Sequence, residues 1–215
     1  MNTDDEVIKT VSVKIIWIAY ERFVMSGTIR SFLAFDIEDQ TILRRLVQIQ
    51  NRLTNCGADL KAVKPENIHL TIRFLGDIQQ SMVDAIHEEM KKIKFTPFTV
   101  ELEGLGAFPN PNYPRVVWAG IEKGADELKD VFEQLEPHLR GLGFKPDTKG
   151  FSPHLTIARV RTGRNKFRLA EVIQELENYE FGTIKAECLR LKKSDLTPRG
   201  PIYSKLREVC GKQKL

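Results

Sequence analysis

Two nearly identical tetrapeptides, His69-Leu70-Thr71-Ile72 and His154-Leu155-Thr156-Ile157, set the fold expected of this 215-residue chain. Each follows a turn containing a proline, Pro65 or Pro153, and each begins an apolar, β-branched run typical of a strand. Side chains alternate between the faces of a strand, so the histidine and threonine of one tetrapeptide share a face. The leucine and isoleucine point to the other face, toward a core. Each tetrapeptide is therefore predicted to present one imidazole and one hydroxyl on a rigid strand.

The same order of elements surrounds both tetrapeptides. Ile37 and His69 are 32 residues apart, and Ile121 and His154 are 33 residues apart, which indicates a duplication of strand, helix, strand, helix, strand. Hydrophobic periodicity predicts helices at residues 39–54, 79–92, 126–139 and 169–178. It predicts strands at residues 29–37, 68–75, 98–105, 116–121, 154–160, 183–191 and 202–209.

Alternating helices and strands allow either a parallel α/β sheet or an antiparallel α+β pair of lobes. A parallel nucleotide-binding sheet would carry a glycine-rich turn between a strand and a helix. The nearest match, Gly104-Leu105-Gly106, is followed by Pro109 where the third glycine is needed. We therefore favour the α+β class.

The composition is that of a globular protein, with 41% hydrophobic and 29% charged residues, which excludes disordered and fibrous classes. The formal net charge of +4 favours an anionic partner. The basic residues cluster late in the chain: Lys185, Arg190, Lys192, Lys193, Arg199, Lys205, Arg207, Lys212 and Lys214. Two interpretations of this cluster stay open, a solvated surface with a frayed tail or a footprint for an RNA backbone.

Three cysteines, Cys56, Cys188 and Cys210, are far apart in sequence and form no CxxC pair. They predict reduced thiols in a cytoplasmic protein, with neither a disulfide framework nor a zinc knuckle. Residues 1–24 begin with acidic residues, unlike a secretory signal, and their apolar run at residues 15–19 is too short to cross a membrane. We expect an extension of uncertain role at residues 1–24, dispensable or forming an extra strand, followed by a single domain at residues 25–215.

The repeat points to a chemical role for the two histidines. A single histidine in a strand is usually structural, satisfied by an ordinary hydrogen bond. Two copies at equivalent positions of a repeat need another explanation, because packing requires only the leucine and the isoleucine. His87 and His138 lack a repeated context, and no catalytic role is predicted for them.

Two histidines and two hydroxyls suit phosphoryl chemistry. An imidazole has an ordinary pKa near 6.5, so a neutral ring can take a proton from water while a protonated ring gives one to a leaving alkoxide. Thr71 and Thr156 can donate hydrogen bonds to the non-bridging phosphate oxygens. This chemistry needs no metal ion or cofactor. A metal site on Glu66 and His69 would need a helix, against which Pro65 and the following β-rich residues argue.

With both H-x-T-x tetrapeptides present, the chain resembles the two-histidine phosphoesterase superfamily, and more narrowly its LigT-like branch. That branch comprises RNA 2′,3′-cyclic phosphodiesterases first described as 2′-5′ RNA ligases. The resemblance extends from about residue 29 to residue 209 and includes the stretches at 104–110, 114–118 and 191–203. It implies a bilobal α+β fold with antiparallel sheets facing a central cleft and one motif on each lobe.

The same resemblance implies hydrolysis of a terminal 2′,3′-cyclic phosphate to a 2′-phosphate. In that reaction His69 is the proton donor to the leaving 3′-oxygen, and His154 is the proton acceptor that activates water. The implied partner is an RNA ending in a cyclic phosphate, tRNA fragments included. The protein is expected to be a monomer in the cytoplasm with no membrane association.

Further contacts and rival functions remain open at this stage. Arg115, Arg159 and Arg161 lie near the motif-bearing strands and are candidate substrate contacts, with ordinary surface charge as the alternative. Phe74 is expected to pack in the core rather than to stack on a base. The rival functions are 2′-5′ RNA ligation, cleavage of small cyclic nucleotides, and nucleotide or RNA binding without catalysis.

Overall fold

A computed structural model describes residues 27–148 and 150–212. The strands are β1 (Thr28–Asp36), β2 (Leu60–Ala62), β3 (His69–Gln79), β4 (Phe98–Phe108), β5 (Val116–Lys123), β6 (Leu155–Val160), β7 (Glu180–Ala186), β8 (Cys188–Thr197) and β9 (Gly200–Cys210). The helices are α1 (Gln40–Asn55), α2 (Met82–Met90), α3 (Ala125–Gly141) and α4 (Lys166–Glu175). Residues 1–24, expected to be an extension, lie outside the described residues, and the domain boundary stays a prediction.

The strands form one antiparallel sheet, in the order β7-β4-β5-β6-β3-β1-β8-β9, with β2 paired to β6. The predicted α+β class with antiparallel strands is therefore confirmed. One lobe contains β7, β4, β5 and β6, and the other contains β3, β1, β8 and β9. A single residue pair, Leu70 with Leu155, connects β3 to β6 and so joins the two lobes into a continuous sheet.

The two repeats exchange a strand. β4 ends the first repeat but pairs with β5 of the second repeat, whereas β8 comes from the end of the second repeat and pairs with β1 of the first. Each lobe therefore contains one strand that belongs to the other repeat.

The connection from β7 to β8 requires the sheet to curl. The strand predicted at residues 183–191 is in fact two strands, separated only by Glu187. These two strands are six positions apart in the sheet order, a distance of roughly 29 Å if the sheet were flat. Because one residue bridges less than about 8 Å, the sheet must bend until β7 and β8 meet. The result is the half-barrel that presents one open concave face.

The core lies on the face of the sheet to which the leucines of the two tetrapeptides point. Leu70 and Leu155 are both buried there, together with the apolar stripe of α1 formed by Ile42, Leu46 and Leu53. α1 begins at a capped end, where the Asp39 carboxylate accepts hydrogen bonds from two backbone amides. None of the helices in the described residues is long and apolar enough to span a membrane.

Cys188 and Cys210 form a disulfide, so the prediction of reduced thiols is wrong for this pair; Cys56 is free. The register of the β8–β9 hairpin sets Cys188 directly opposite Cys210, with their Cα atoms 3.9 Å apart. Sequence reasoning missed the pair because it placed Cys188 inside a longer strand and ended the last strand before Cys210. Neither boundary indicated that the two residues close one hairpin.

Reduction of this disulfide should lower the free energy of unfolding by about 3 kcal/mol. The crosslink joins residues 22 positions apart and restricts the unfolded chain accordingly. Urea unfolding with and without a reductant measures the difference. The double variant Cys188→Ser/Cys210→Ser should be insensitive to reductant, whereas the control Cys56→Ser should keep the parent's response. Equal stability of the oxidised and reduced parent would contradict a stabilising crosslink.

Candidate active site

The two tetrapeptides meet where the lobes join. Leu70 and Leu155 pair in antiparallel strands. One residue away from this pair, the register therefore places His69 across from Thr156 and Thr71 across from His154. All four side chains lie on the face opposite the buried leucines, and all four are half-buried. The structure thus brings the two predicted His–Thr pairs together on one concave face.

Both imidazoles are held in the same way. His69 Nδ1 lies 2.7 Å from the carbonyl oxygen of Asn67, and His154 Nδ1 lies 2.7 Å from the carbonyl oxygen of Ser152. A carbonyl oxygen can only accept, so the Nδ1–H group donates in both cases and fixes the tautomer. In the neutral ring the lone pair therefore sits on Nε2. Neither Nε2 atom has a hydrogen-bond partner among the described residues.

Distant parts of the chain support the turn before His69 and the strand that follows His154. The buried Asn67 side chain donates to the carbonyl oxygen of Pro201 at 2.9 Å, so β9 holds the turn before His69. In the other lobe, buried Gln50 of α1 donates to the carbonyl oxygens of Val63 and Ile157. The positions of the histidines therefore depend on contacts that no local pattern reveals.

Aromatic rings surround each histidine. The Phe32 and Tyr203 ring centroids lie 4.7 and 5.2 Å from that of His69. Those of Phe108 and Trp118 lie 4.9 and 6.5 Å from that of His154. Sequence reasoning assigned no role to these residues, although three of them fall in the stretches that carry the family resemblance. Each of these aromatic residues alternates with core residues along its own strand, which was the available signal. That alternation does not reveal which strands lie next to each other in the sheet.

Burial among these rings lowers the pKa of both histidines. The pKa of His69 falls to about 4, chiefly because desolvation penalises the imidazolium, with the charges of Lys192 and Arg159 acting in the same direction. Desolvation also lowers the pKa of His154, again assisted by Arg159. At neutral pH both rings are therefore uncharged in the free protein.

A network of charges lies beside His69. Asp36 is directly across from His69 in the β1–β3 register, and its carboxylate binds both Lys192 and Arg190. Arg190 also pairs with Glu38 and Glu208. The charge of Asp36 favours the protonated state of His69, against the larger effect of burial.

Most of the late basic cluster is neutralised by ion pairs within the protein. Among its members within the described residues, five are paired: Arg190, Lys192, Lys193, Lys205 and Arg207. Their charges are largely balanced at the sites where they lie, which favours a structural role for these five positions. A free cationic surface must be sought elsewhere.

The three candidate arginines occupy two places. Arg159 is exposed, and its charge acts on both histidines, which puts it beside the cleft. Arg115 and Arg161 line a groove beyond the far end of β6, together with Tyr113 and Lys166.

Phe74 does not pack in the core. Its side chain is 61% exposed, with its ring 6.1 Å from that of Phe32, so the expectation of core packing is wrong. The β1–β3 register slips beside Ile72, and this irregularity turns Leu75 inward in place of Phe74. Strict alternation along a regular strand would have buried Phe74.

The metal site considered on Glu66 and His69 lacks the helix it would need. Glu66 lies exposed in a short 3₁₀ turn, Pro65–Asn67, and pairs with Lys64. Among the described residues, one group of possible metal ligands is close enough to share an ion: Cys188, Glu208 and Cys210. Its two sulfur atoms are already joined to each other.

The depressed pKa of His69 should make stability depend on pH. Because the folded pKa of about 4 lies below the unfolded value near 6.5, this contribution is complete above pH 6.5 and is lost as the pH falls toward 4. The parent should therefore lose about 2–3 kcal/mol at this group between pH 7.5 and 4.5. Urea unfolding at both pH values should show a shallower loss for His69→Gln. Identical pH dependence in parent and variant would contradict a buried, neutral His69.

Comparison with known proteins adds independent findings. The family model described as LigT like Phosphoesterase matches residues 37–118 and 120–203, with one tetrapeptide in each segment. An RNA 2′,3′-cyclic phosphodiesterase of Aeropyrum pernix is 40% identical over 165 residues, which are 77% of this chain and 94% of the relative. An RNA 2′,3′-cyclic phosphodiesterase of Archaeoglobus fulgidus is 39% identical over 83% of this chain and 98% of its own.

Solved structures share the fold. The protein TT0787 of Thermus thermophilus is 26% identical with a TM-score of 0.70, covering 86% of this chain and 100% of its own. Escherichia coli LigT complexed with 3′-AMP is 20% identical with a TM-score of 0.70, covering 86% and 99% of the two chains.

Proposed function

Because this chain belongs to the family of LigT-like phosphoesterases, we propose that it hydrolyses the 2′,3′-cyclic phosphate at the end of an RNA to a 2′-phosphate. The observation that carries the proposal is the meeting of two His–Thr pairs across Leu70–Leu155, each with a free imidazole Nε2. Relatives that bear this activity in their names match at 33–40% identity, several over more than three quarters of the chain, which supports the same assignment.

The proposed reaction moves two protons in opposite directions. The neutral Nε2 of His154 accepts a proton from water as the water oxygen forms a bond to phosphorus. The bond from phosphorus to the 3′-oxygen breaks, and the protonated Nε2 of His69 gives its proton to that oxygen. The products are a 2′-phosphate monoester and a free 3′-hydroxyl group. Thr71 and Thr156 donate hydrogen bonds to the non-bridging oxygens, where negative charge is held.

One asymmetry supports His69 as the proton donor. Asp36 faces His69 across the β1–β3 pair and favours its protonated state, whereas His154 has no such carboxylate among the charges of the described residues that act on it. In the free protein, burial and the charges of Lys192 and Arg159 together outweigh Asp36. An anionic cyclic phosphate bound between the rings adds the negative charge needed to raise the pKa of His69.

Two further contacts belong to the proposal. Arg159 is close enough to affect both histidines and is proposed to bind a phosphate oxygen with its guanidinium group. Phe74 presents an exposed ring on the strand that carries His69 and is proposed to stack on the terminal base.

The expected substrates are RNA ends of any origin that carry a cyclic phosphate, tRNA fragments included. A net charge of +4 supports an anionic polymer as partner. The proposal keeps a monomeric enzyme in the cytoplasm, although reduced thiols no longer support that location, since Cys188 and Cys210 form a disulfide.

Replacing either histidine should abolish most activity. His69→Ala and His154→Ala should each lower kcat by about 10²–10⁴, and the double variant should lose little more, because the two groups act as a unit. Thr71→Val and Thr156→Val should each cost about 10². A chelator should leave the rate unchanged. The control is His138→Ala, which removes a hydrogen bond to Glu89 outside the site.

The assay uses an oligoribonucleotide ending in a 2′,3′-cyclic phosphate, with and without a second strand bearing a 5′-hydroxyl group. A 2′-phosphate product supports hydrolysis. A longer product in excess over the 2′-phosphate end would establish ligation instead. A parent that binds the oligonucleotide without cleaving it, and whose histidine variants bind equally well, would establish a binding module.

The pH dependence of kcat/KM should follow the lowered pKa values of the free protein. The productive state has one charged and one neutral ring, and burial lowers the pKa of both below 6.5. The optimum should therefore lie below pH 6.5, with a tenfold fall per pH unit on the alkaline side. The optimum of kcat should lie at higher pH, because the bound phosphate favours the imidazolium. Superimposable profiles centred above pH 7 would refute this account.

A further inference from the structure

A groove beyond the far end of β6 has features that the proposed catalytic step does not use. Its volume is about 530 Å³, and its lining includes Tyr113, Pro114, Arg115, Arg161, Thr162 and Lys166. Three of these side chains are cationic and none is acidic. The groove is therefore a positively charged depression on the same lobe as His154.

The cations of this groove are unpaired within the part of the chain that the structure describes. Arg115, Arg161 and Lys166 form no ion pair with a carboxylate of the described residues, in contrast to the five paired members of the late basic cluster. Arg115 and Arg161 are also largely exposed. Unpaired, exposed cations attract a polyanion more strongly than paired ones, so this groove is a better anionic-polymer site than the paired positions along β8 and β9.

Aromatic rings accompany the cations. Tyr113 is 66% exposed and Phe167 is 73% exposed, which is unusual for rings of this size. Lys166 Nζ lies 4.5 Å from the Tyr113 ring centroid and 5.0 Å from the Phe167 ring centroid. Exposed rings interleaved with cations are the arrangement that binds single-stranded nucleic acid, because bases stack on the rings while the cations contact phosphates.

β6 connects the groove to the active site. The strand begins immediately after His154 and ends at Val160, whose amide donates to the carbonyl oxygen of Arg115 at 2.9 Å. The distance along this strand is roughly 20 Å, within reach of several nucleotides. Arg159 lies on the path between the two ends.

We propose that the groove lined by Tyr113, Arg115, Arg161 and Lys166 binds the nucleotides that precede the cyclic phosphate of a single-stranded RNA. The inference rests on the proposed function, because it places the reacting end of the RNA at the histidines. Tyr113 stacks on a base, and Arg115 and Arg161 contact backbone phosphates. The groove thereby distinguishes an RNA end from a free cyclic mononucleotide.

The test compares two substrates that differ only in the upstream nucleotides. One is a single-stranded hexaribonucleotide ending in a 2′,3′-cyclic phosphate, and the other is the nucleoside 2′,3′-cyclic monophosphate of the same base. Arg115→Ala/Arg161→Ala should raise KM for the hexaribonucleotide at least tenfold and change kcat/KM for the mononucleotide less than twofold. Arg140→Ala/Lys185→Ala removes two exposed charges elsewhere and should change neither value.

Binding measured without turnover separates this inference from the catalytic proposal. Fluorescence anisotropy with a labelled hexaribonucleotide ending in a 2′-phosphate gives Kd as a function of salt. The double arginine variant should lower the slope of log Kd against log salt by about 1.4, which is 0.7 for each lost phosphate contact. Tyr113→Ala should raise Kd roughly 5- to 150-fold, whereas Tyr113→Phe should bind like the parent.

Each remaining outcome has a defined meaning. An unchanged Kd and KM for the hexaribonucleotide in the arginine variant would overturn the groove as an RNA site. Equal losses on both substrates would overturn it too, because the residues would then be acting on the reaction itself. If the parent cleaves neither substrate, the proposed function fails, and the anisotropy series still decides whether the groove binds RNA.

Discussion

The pairing of Leu70 with Leu155 is the contact on which the remaining structure depends. It joins the lobes through one residue pair, and both leucines are buried in the core. Because side chains alternate along a strand, a slip of one residue at this pair would turn the imidazoles and hydroxyls of one lobe toward the core. The buried leucines therefore set the register, and the register sets which polar groups face each other.

Two other features hold this pairing in place. Because the repeats exchange β4 and β8, each lobe contains strands from both halves of the chain. The single residue between β7 and β8 obliges the sheet to curl, which directs the polar sides of β3 and β6 into one concavity. A flat sheet with the same local pairing would leave the two motifs side by side on an open surface. The curvature of the sheet therefore places both copies of the motif in one cleft.

Much of this fold could be predicted from sequence because its signals are local. Alternation within His69-Leu70-Thr71-Ile72 predicts the polar and apolar faces correctly, and the repeat predicts a matching strand in the other half. The predictions that failed depend on contacts between strands rather than on the local sequence pattern. The pairing of Cys188 with Cys210 depends on a hairpin whose start could not be separated from β7, and the exposure of Phe74 depends on a slip against β1.

The same division applies to the site. The four polar side chains could be predicted, since each tetrapeptide carries its own pair. The aromatic surroundings could not, because Phe32 and Tyr203 reach His69 from strands far apart in the chain. Phe108 and Trp118 reach His154 from β4 and β5, two consecutive strands that α3 separates from it in sequence. The carbonyl groups that accept from each Nδ1 lie only two residues away, but their orientation depends on contacts such as that between Asn67 and Pro201.

These surroundings couple protonation to binding. Desolvation lowers the pKa of both imidazoles, and Arg159 acts on both in the same direction, so a charged ring is disfavoured while the cleft is empty. The positive charges favour an anion, because Lys192 and Arg159 stabilise negative charge placed between the rings. A proton on His69 and a phosphate between the rings therefore stabilise each other, and an uncharged ligand of the same shape would bring neither. The preference for an anion thus follows from the positive charges beside the rings, while burial keeps both histidines neutral until that anion binds.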